Sequence, residues 1–398
     1  MRRLAQSPRD PAFVADPYPF YAAARAVGPL FVWEEYGHAC AAGWDAVNAL
    51  LRDRRFGREP PGGFGPRPPH MADFYAIDDR SMLEREPPDH TRLRGLVLRA
   101  FTSRRIAALG PGIATLATSL ADALPEPEAD LLPAFARPLP VIVIARLLGV
   151  PEDRADDLLA WSNAMVAVYQ ARRDGAVEAR ANAAAREFAA FLRGEIAARR
   201  RAPRDDLLSA LVAAEAEGER LDEAELVATA ILLLNAGHEA TVNALANAVA
   251  LILGRGLDSA ALFADETAAA ATVEELLRFD PPLHLFTRYA REDAEAFGHR
   301  FRRGEVVGLL LAAANRDPAR FDAPDRFEPA RFRGQRGEGH AAFGAGIHFC
   351  LGAPLARLEL ALGLGALFRR RPGLALAEVP HFADRYHFRT LERLLVRP

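Results

Sequence analysis

The chain contains no lysine, and all fifty of its permanently charged basic side chains are arginines. A lysine nucleophile, a Schiff-base lysine for pyridoxal phosphate and the lysine of a phosphate-binding P-loop are therefore excluded. Cysteine is also scarce. Cys40 and Cys350 are too few for a disulfide framework, which favours a reducing compartment. The formal net charge of −3 argues against a nucleic-acid partner.

Long apolar runs are missing as well. The longest, 138–151, is interrupted by Arg146 and is too short to cross a bilayer. Residues 1–8 lack the apolar core of a secretory signal peptide. We therefore expect a cytoplasmic protein that does not insert into a membrane.

Half of the 398 residues are apolar, which is enough to bury a large core. No linker-like segment divides the chain, so we expect a single domain over 1–398. Runs rich in Ala, Leu, Arg and Glu predict helices at 105–123, 151–171, 175–200, 222–254, 268–279 and 354–371. Strand-like segments are short and lie at 29–34, 286–291, 306–311 and 374–378, with a terminal pair near 386–396. The sequence therefore predicts a mainly α fold with a smaller β region.

The most informative stretch is a glycine-rich loop with one cysteine, which reads FGAGIHFCLG over residues 343–352. A strong helical run follows it, and a helix start offers free N–H groups and a positive dipole end that stabilise a thiolate. The glycines let the backbone pass close to a flat ligand. A cysteine in this position is otherwise most often a small buried hydrophobe. A dinucleotide-binding loop is excluded because its third glycine would fall at Phe349.

This loop resembles the haem-binding loop of cytochromes P450. Six positions match the family pattern in order, and they are Phe343, Gly344, Gly346, His348, Cys350 and Gly352. The resemblance implies that Cys350 is the axial thiolate of the iron in haem b and that O2 is a co-substrate. It extends from about residue 16 to the C-terminus and is closest to the soluble bacterial members.

The second informative stretch is NAGHEAT, residues 235–241, inside the helix predicted at 222–254. A glycine and a carboxylate are unusual in an apolar helix, although a helix crossing or a half-exposed face would also explain them. The stretch resembles the P450 distal helix, Ala-Gly-x-(Asp/Glu)-Thr, to which Ala236, Gly237 and Glu239 correspond. The resemblance implies the P450 fold, in which haem lies between this long helix and the helix after the Cys loop.

Ala240 departs from the family pattern, which has a threonine there. Thr241 carries a hydroxyl, but it lies about 100° further round the helix and is expected to point away. The proton delivery that the resemblance implies, by an acid and an alcohol, must therefore differ. We hypothesise that a substrate hydroxyl or an ordered water replaces the alcohol, with Glu239 as the acid. Asn235 shares the Glu239 face at i, i+4 and is a candidate anchor for that water.

Four cationic residues are candidates for binding the haem propionates. His90 and Arg94 share one face of a predicted helix, and Arg288 and His348 stand at matching family positions. Each of them alone would be interpreted as a surface charge. Two propionates in a low-dielectric site would, however, need paired donors.

Glu275 and Arg278 are an i, i+3 pair, which alone would indicate a solvated contact worth about 0.2–0.5 kcal/mol. They match the P450 helix pair that locks the proximal side of the fold, and Arg331 matches its third partner. The resemblance implies that this network is structural and largely buried.

Family positions imply a substrate pocket that several segments build. These segments are the loop 60–83, residues 161–169, the helix face at 232–240, the strand lead-in 283–286 and the terminal turn 386–388. The candidate lining residues are Leu232, Asn235, Ala236, Leu283, Phe286 and His387, with His284 as a further polar candidate. Because this lining is mainly apolar, a hydrophobic small molecule with one or two polar groups fits. Terpenoids, steroids, macrolides and fatty-acid derivatives all meet that description.

The resemblance implies a haem-thiolate monooxygenase that inserts one oxygen atom of O2 at a C–H or double bond. Electrons would come from a ferredoxin and an NAD(P)H-dependent ferredoxin reductase. An acidic ferredoxin would be steered to arginines on the Cys face. The candidates are Arg92, Arg99, Arg104 and Arg357.

Alternative functions stay open at this point. A peroxygenase would take hydrogen peroxide directly, although Glu239 argues against it. Ala240 is compatible with a haem-thiolate protein that binds a ligand without turnover. A cysteine enzyme without haem is disfavoured because no His/Asn pair is assigned to activate Cys350.

Overall fold

The computed structural model describes residues 1–169, 173–216, 219–334 and 339–398. Its helices are α1 (Pro11–Ala15), α2 (Tyr18–Ala26), α3 (Trp44–Arg52), α4 (Ala72–Asp78), α5 (Asp89–Ala100), α6 (Ser103–Ala108), α7 (Gly110–Asp122), α8 (Pro138–Leu148), α9 (Ala155–Val166), α10 (Gly175–Arg201), α11 (Leu207–Ala213), α12 (Glu223–Gly254), α13 (Ser259–Leu262), α14 (Glu266–Phe279), α15 (Leu311–Ala314) and α16 (Ala353–Arg370). Helix thus dominates the described chain, as the composition predicts.

The strands are β1 (Arg2–Leu4), β2 (Phe31–Trp33), β3 (His38–Ala41), β4 (Phe56–Gly57), β5 (Ala129–Asp130), β6 (Glu215–Ala216), β7 (Glu219–Arg220), β8 (Leu285–Ala290), β9 (Ala294–Ala296), β10 (His299–Phe301), β11 (Val306–Leu310), β12 (Ala375–Leu376) and β13 (Leu395–Arg397). One sheet has the order β1-β2-β3-β11-β8-β4, and β13 lies between β12 and β5 in another. In the first sheet β11 runs antiparallel to β8 and parallel to β3. The mainly α fold with a smaller β region is confirmed.

Helix α12 runs through the main core. A capping box starts it, in which the side chains of Asp222 and Glu225 each accept from the backbone N–H of the other. Its 32 residues span about 48 Å at about 1.5 Å per residue. It packs against α8, α9, α10 and α16. Most of its side chains are buried by these contacts, so tertiary packing stabilises it on nearly every side.

The predicted helices at 175–200, 222–254, 268–279 and 354–371 correspond to α10, α12, α14 and α16, with ends that differ by at most two residues. The prediction of one helix at 105–123 was wrong. The chain forms α6 and α7 instead, because Pro111 stands in the first turn of α7 and cannot continue a helix. The segment 151–171 forms a 3₁₀ turn, α9 and a second 3₁₀ turn, and residues 170–171 lie outside the described chain.

Predicted strands overlap β2, β8, β11 and β12, whereas the predicted terminal pair was wrong. Residues 386–396 contribute only the start of β13 and isolated bridges, of Phe388 to Leu283 and of Leu391 to Phe382. Backbone groups of this segment form hydrogen bonds with other parts of the chain. The N–H of Arg389, for example, donates to the carbonyl oxygen of Pro282. Among the described helices, none is both long and apolar enough to cross a membrane.

Candidate functional site

The loop before Cys350 takes its shape from glycines with left-handed backbone angles. Gly344 and Gly346 have φ values of 68° and 71°, which glycine adopts without a steric penalty. A Cβ on Gly346 would lie 2.5 Å from the carbonyl oxygen of Leu51. The N–H of Cys350 donates to the carbonyl oxygen of Phe343 at 3.0 Å and closes the loop. The glycines therefore let the loop pack directly against the end of α3.

The sulfur of Cys350 lies at the start of α16, which begins at Ala353 with Gly352 as its N-cap. Burial raises the pKa of the Cys350 thiol, while the N–H groups of Gly352 and Ala353 and the charges of Arg94 and Arg357 act to lower it. The helix start thus favours the thiolate without outweighing burial. A further positive charge on the sulfur, such as a metal ion, would complete that stabilisation.

Small side chains form one face of α12 in the middle of this buried helix. Ala236 is exposed and Ala240, one turn further on, is partly exposed. The face therefore has room for a flat ligand. Gly237 serves a different purpose, because a Cβ there would lie 3.1 Å from the side chain of Ile144 on α8. The glycine that the sequence associates with a ligand groove thus lets α8 and α12 pack closely.

Glu239 is a partly buried acid on α12. Burial raises its pKa to about 7, against the lowering effect of the Arg385 charge. Its Oε2 atom has no hydrogen-bond partner among the described residues. Glu239 can therefore hold a proton near neutral pH and release it locally.

Two neighbours of Glu239 on α12 differ in whether they can still bind a water or substrate. The amide nitrogen of Asn235 lies 3.9 Å from the sulfur of Met165 on α9, and its Oδ1 has no partner in the described chain. The hydroxyl of Thr241 donates to the carbonyl oxygen of Gly237 at 3.3 Å. The structure thus directs Thr241 into its own helix, whereas Asn235 keeps a free acceptor.

The cationic residues predicted to bind propionates lie close to the Cys loop. The rings of His90 and His348 have centroids 4.4 Å apart, and Nε2 of His348 lies 2.9 Å from Oε1 of Glu86. Arg94 donates to the carbonyl oxygen of Phe349 at 2.7 Å. Burial, with the charges of His348 and Arg94, lowers the pKa of His90 to about 4. His90 is therefore a neutral donor.

Arg288 is a buried cation, only 2% exposed, whose guanidinium donates to the carbonyl oxygen of Thr287 at 2.9 Å. Burial and the charge of Arg58 lower its pKa to about 9. Within the described chain, no carboxylate lies within 4.0 Å of it. A buried guanidinium without an anion is costly, so this position fits an anionic ligand.

Sequence reasoning missed Arg58, which follows β4. Its guanidinium pairs with Glu84, its backbone N–H donates to Glu86 at 2.7 Å, and its Nε has no partner in the described chain. The guanidinium groups of Arg58 and Arg288 lie 5.9 and 5.8 Å from the ring centroid of Phe286. With Arg94, this makes three arginines beside the Cys loop, a donor set that fits the two propionates of haem. No motif marked Arg58 in the sequence.

Glu275 and Arg278 form a fully buried pair on α14, with N–O distances of 2.6 and 2.7 Å. Nε of Arg331 lies 3.5 Å from Glu275. Arg278 also donates to the carbonyl oxygen of Asn315 at 2.9 Å, and the Asn315 side chain accepts from the N–H of Ala341 at 2.6 Å. The predicted trio thus lies together and connects to the backbone just before the Cys loop.

The predicted pocket residues lie in different settings. Phe286 on β8 approaches the Cys loop, where a Cβ on Gly344 would lie 3.5 Å from its ring. Leu283 is partly exposed and bridges to Phe388, and Leu232 is partly exposed on α12. Nε2 of His387 lies 3.1 Å from the hydroxyl of Tyr36. The place of His387 in a substrate pocket therefore stays a prediction.

His284, the other polar candidate for the pocket, is engaged inside the fold. Its Nδ1 lies 2.9 Å from the hydroxyl of Tyr21, and its Nε2 lies 3.7 Å from Asp280. The ring is fully buried. These contacts give His284 a structural role.

The candidate docking arginines differ in how they are engaged. Arg92 pairs with Glu225 at the start of α12, and Arg357 forms a two-point pair with Glu274 at 2.5 and 2.9 Å. Arg99 and Arg104 are exposed. The latter two are therefore better placed to meet a partner without breaking an internal pair.

Glu359 on α16 is a second acid that sequence reasoning missed. It is fully buried, and neither carboxyl oxygen has a hydrogen-bond partner among the described residues. Burial raises its pKa well above the ordinary value, which favours the neutral form of the carboxyl group. The available signal was a carboxylate inside an apolar helical run.

Comparisons with known proteins agree with this geometry. A family model described as Cytochrome P450 matches residues 267–370. Cytochrome P450 monooxygenase PikC of Streptomyces venezuelae is 40% identical over 382 residues, which cover 92% of this chain and 87% of PikC. The structure of P450BioI in complex with hexadec-9Z-enoic acid ligated acyl carrier protein has a TM-score of 0.89 and 34% identity, with coverage of 98% and 100%. Myxobacterial CYP267B1 in complex with myristic acid has a TM-score of 0.84 and 37% identity, and 97% of each chain is covered.

Proposed function

The chain belongs to the cytochrome P450 family and is a monooxygenase, and from that premise we propose how its residues hold haem, move protons and select a substrate. Cys350 would hold the iron of haem b through its thiolate. The observation that carries this assignment is its sulfur at the start of α16, bonded by two backbone N–H groups and flanked by two arginine charges. When bound, the haem supplies the iron that activates O2, and its thiolate ligand favours O–O cleavage.

Residues on four separate segments would hold the haem propionates. His90 and Arg94 come from α5, Arg288 from β8 and His348 from the Cys loop, and we add Arg58 to this set. The support is electrostatic, because the buried Arg288 has no carboxylate within 4.0 Å in the described chain and is repelled by Arg58. Two propionates would neutralise this excess of positive charge.

Proton delivery starts from Glu239, whose pKa of about 7 suits an acid that works near neutral pH. Ala240 has no hydroxyl to pass that proton on, and the hydroxyl of Thr241 is bonded within α12. A water held by Oδ1 of Asn235, or a hydroxyl of the substrate, takes the place of the missing alcohol. The unpartnered Oδ1 of Asn235 and Oε2 of Glu239 support this arrangement.

The substrate is a hydrophobic small molecule, because the candidate lining is mainly apolar. Two similar proteins of known structure are in complex with acyl chains, P450BioI with hexadec-9Z-enoic acid on an acyl carrier protein and CYP267B1 with myristic acid. An acyl chain is therefore a suitable first ligand. Electrons come from a ferredoxin and an NAD(P)H-dependent reductase, and Arg99 and Arg104 receive the ferredoxin.

The absorption spectrum of the purified protein, reduced with dithionite and exposed to carbon monoxide, tests the assignment of Cys350. We expect the red-shifted Soret band of thiolate-bound ferrous haem. A band at the position of imidazole-bound haem would mean that the thiolate is protonated or displaced. Protein that takes up no haem at all would overturn the proposal.

The proton pathway is tested by the coupling of electron use to product in wild type and Ala240→Thr. If a substrate hydroxyl or water replaces the alcohol, wild type is well coupled with hydroxylated substrates and poorly coupled without them. Ala240→Thr reduces that difference. Equal coupling in both proteins with both kinds of substrate would remove the hypothesis.

Product formation with a surrogate ferredoxin system tests the proposed source of electrons. Activity with hydrogen peroxide and no reductase would instead identify a peroxygenase.

A further inference from the structure

A turn near the C-terminus presents an arginine that has no assigned role. The N–H of Phe388 donates to the carbonyl oxygen of Arg385 at 3.1 Å, so Tyr386 and His387 are the central residues of a four-residue turn. His387 has a φ of 86°, in the left-handed region that disfavours residues with a Cβ. Such strain persists only where the surroundings fix the backbone.

Contacts on both sides of the turn fix it. The hydroxyl of Tyr386 lies 2.8 Å from that of Tyr21, and Nε2 of His387 lies 3.1 Å from the hydroxyl of Tyr36. Further along, the side chain of Asn247 on α12 donates to the carbonyl oxygen of Arg389 at 2.9 Å. The turn is thus attached to the N-terminal segment by its central side chains and to the distal helix α12 by its backbone.

Arg385 is left out of these contacts. It is exposed, and within the described chain no carboxylate lies within 4.0 Å of its guanidinium. Its charge nevertheless acts on the carboxylate of Glu239 on α12. The segment that follows the turn is bonded to α12 through Asn247, so Arg385 lies near the helix that carries Glu239 without forming an ion pair with it.

Among the described residues, Arg385 is the charged group that acts on the pKa of Glu239. On its own helix, the amide of Asn235 and the ring of His238 are uncharged, since burial lowers the pKa of His238 to about 4. Packed against the same stretch, α8 brings Ile144 near Gly237 and α9 brings Met165 near Asn235. Arg385 is thus the charged group that can respond to a ligand on this side.

We propose that Arg385 binds the carboxylate of an amphipathic acid, a molecule with an apolar chain and one terminal anionic group, and so holds the substrate on the distal side. This rests on the proposed function and names its substrate class. A guanidinium group matches a carboxylate through two parallel hydrogen bonds. Phe388 of the same turn forms a β-bridge with Leu283, whose partly exposed apolar side chain suits the chain of such an acid.

Binding of this kind also changes the acid on α12. A carboxylate that neutralises Arg385 removes the charge that lowers the pKa of Glu239, so that pKa rises. Glu239 then takes up a proton near neutral pH when the substrate arrives. A neutral ligand of the same length leaves Glu239 as it was.

Calorimetry with the haem-loaded protein tests the proposal, with decanoic acid and 1-decanol as probes of equal chain length. In Arg385→Gln we expect decanoic acid to bind at least about tenfold more weakly and 1-decanol to bind as in wild type. Arg385→Lys keeps the positive charge and should retain most of the affinity for the acid. Arg393→Gln is the matched control, because Arg393 is exposed and pairs with Glu378 in the same segment.

Proton uptake provides a second readout that a purely structural role would not change. Calorimetry near pH 7 in two buffers of different ionisation enthalpy should show uptake with decanoic acid, none with 1-decanol, and none in Glu239→Gln. Equal weakening of both ligands in Arg385→Gln, or an unchanged affinity for the acid, overturns the proposal.

The carbon monoxide spectrum of the same samples separates this result from the assignment of Cys350. A normal thiolate spectrum without preference for the acid refutes only the role of Arg385. Loss of the thiolate spectrum in wild type refutes the proposed function instead.

Discussion

The buried pair of Glu275 and Arg278 permits a sharp test, because an exposed pair with the same spacing exists elsewhere in the chain. Both buried side chains are 0% exposed, and their N–O distances are 2.6 and 2.7 Å. Arg278 also donates to the carbonyl oxygens of Asn315 and Pro324 at 2.9 and 2.8 Å. Replacing Glu275 with Gln keeps the volume but leaves the guanidinium charge uncompensated.

The expected cost follows from burial. Removing one partner of a buried ion pair destabilises a protein by about 3–5 kcal/mol, because the remaining charge cannot be hydrated. The control is Asp157→Asn, since Asp157 forms an i, i+3 pair with Arg154 at 2.7 Å in which the side chains are 52% and 42% exposed. Exposed pairs of this kind contribute about 0.2–1 kcal/mol. We therefore expect a difference of several kilocalories per mole between two substitutions of the same chemical type.

Urea unfolding, followed by helical circular dichroism and by haem absorbance, measures both variants. The haem signal should be lost first in Glu275→Gln, because Asn315 connects this network to the N–H of Ala341 before the Cys loop. The free energy of unfolding should stay close to wild type in Asp157→Asn. If both variants lose less than about 1 kcal/mol, the burial argument is wrong.

Further predictions concern the proposed haem ligand Cys350, the acid Glu239 and the two arginines proposed to bind a ferredoxin. Cys350→Ala should lose the thiolate carbon monoxide spectrum while keeping a folded circular dichroism spectrum, and a retained spectrum would refute the ligand assignment. The folded state keeps the Glu239 proton up to about pH 7, whereas the unfolded chain loses it near 4.5, so stability should fall as pH rises across that window. Glu239→Gln should reduce that slope in urea unfolding, and an unchanged slope would assign it to other buried acids such as Glu359. Ferredoxin-dependent reduction should slow with added salt and in Arg99→Gln and Arg104→Gln, and a salt-independent rate would exclude this face.

The sequence predicts those parts of the protein whose structure is determined by residues close together in the chain. The Cys loop is one, because its glycines and cysteine act within ten residues, and α12 is another, because an apolar run follows the Asp222 cap. Helix α8 is missed although it is strongly apolar. Its Pro138 and Pro140 suggest a break, yet first-turn prolines require no helical hydrogen bond.

The residues that local patterns miss depend on contacts between distant segments. Arg58 follows a two-residue strand and meets Arg288 only because β4 pairs with β8. Arg385 lies in a turn that is attached to residues more than 300 positions earlier in the chain. The spacing of Glu275 and Arg278 indicates a surface pair, and only the packing of α14 shows that it is buried. Helical spacing predicts which side chains are neighbours without predicting whether water reaches them.

The absence of lysine matters most where a cation is buried. Burial and the charge of Arg58 lower the pKa of Arg288 to about 9, so its guanidinium is still charged at neutral pH. A lysine starts from a pKa of about 10.4, and a comparable shift would remove much of its charge near neutrality. An anionic ligand at this position therefore needs arginine, because only a guanidinium stays positive there before the ligand arrives. The same reasoning explains how three arginines can stand beside the Cys loop: each remains a donor to an anion without first having to gain a proton from solvent.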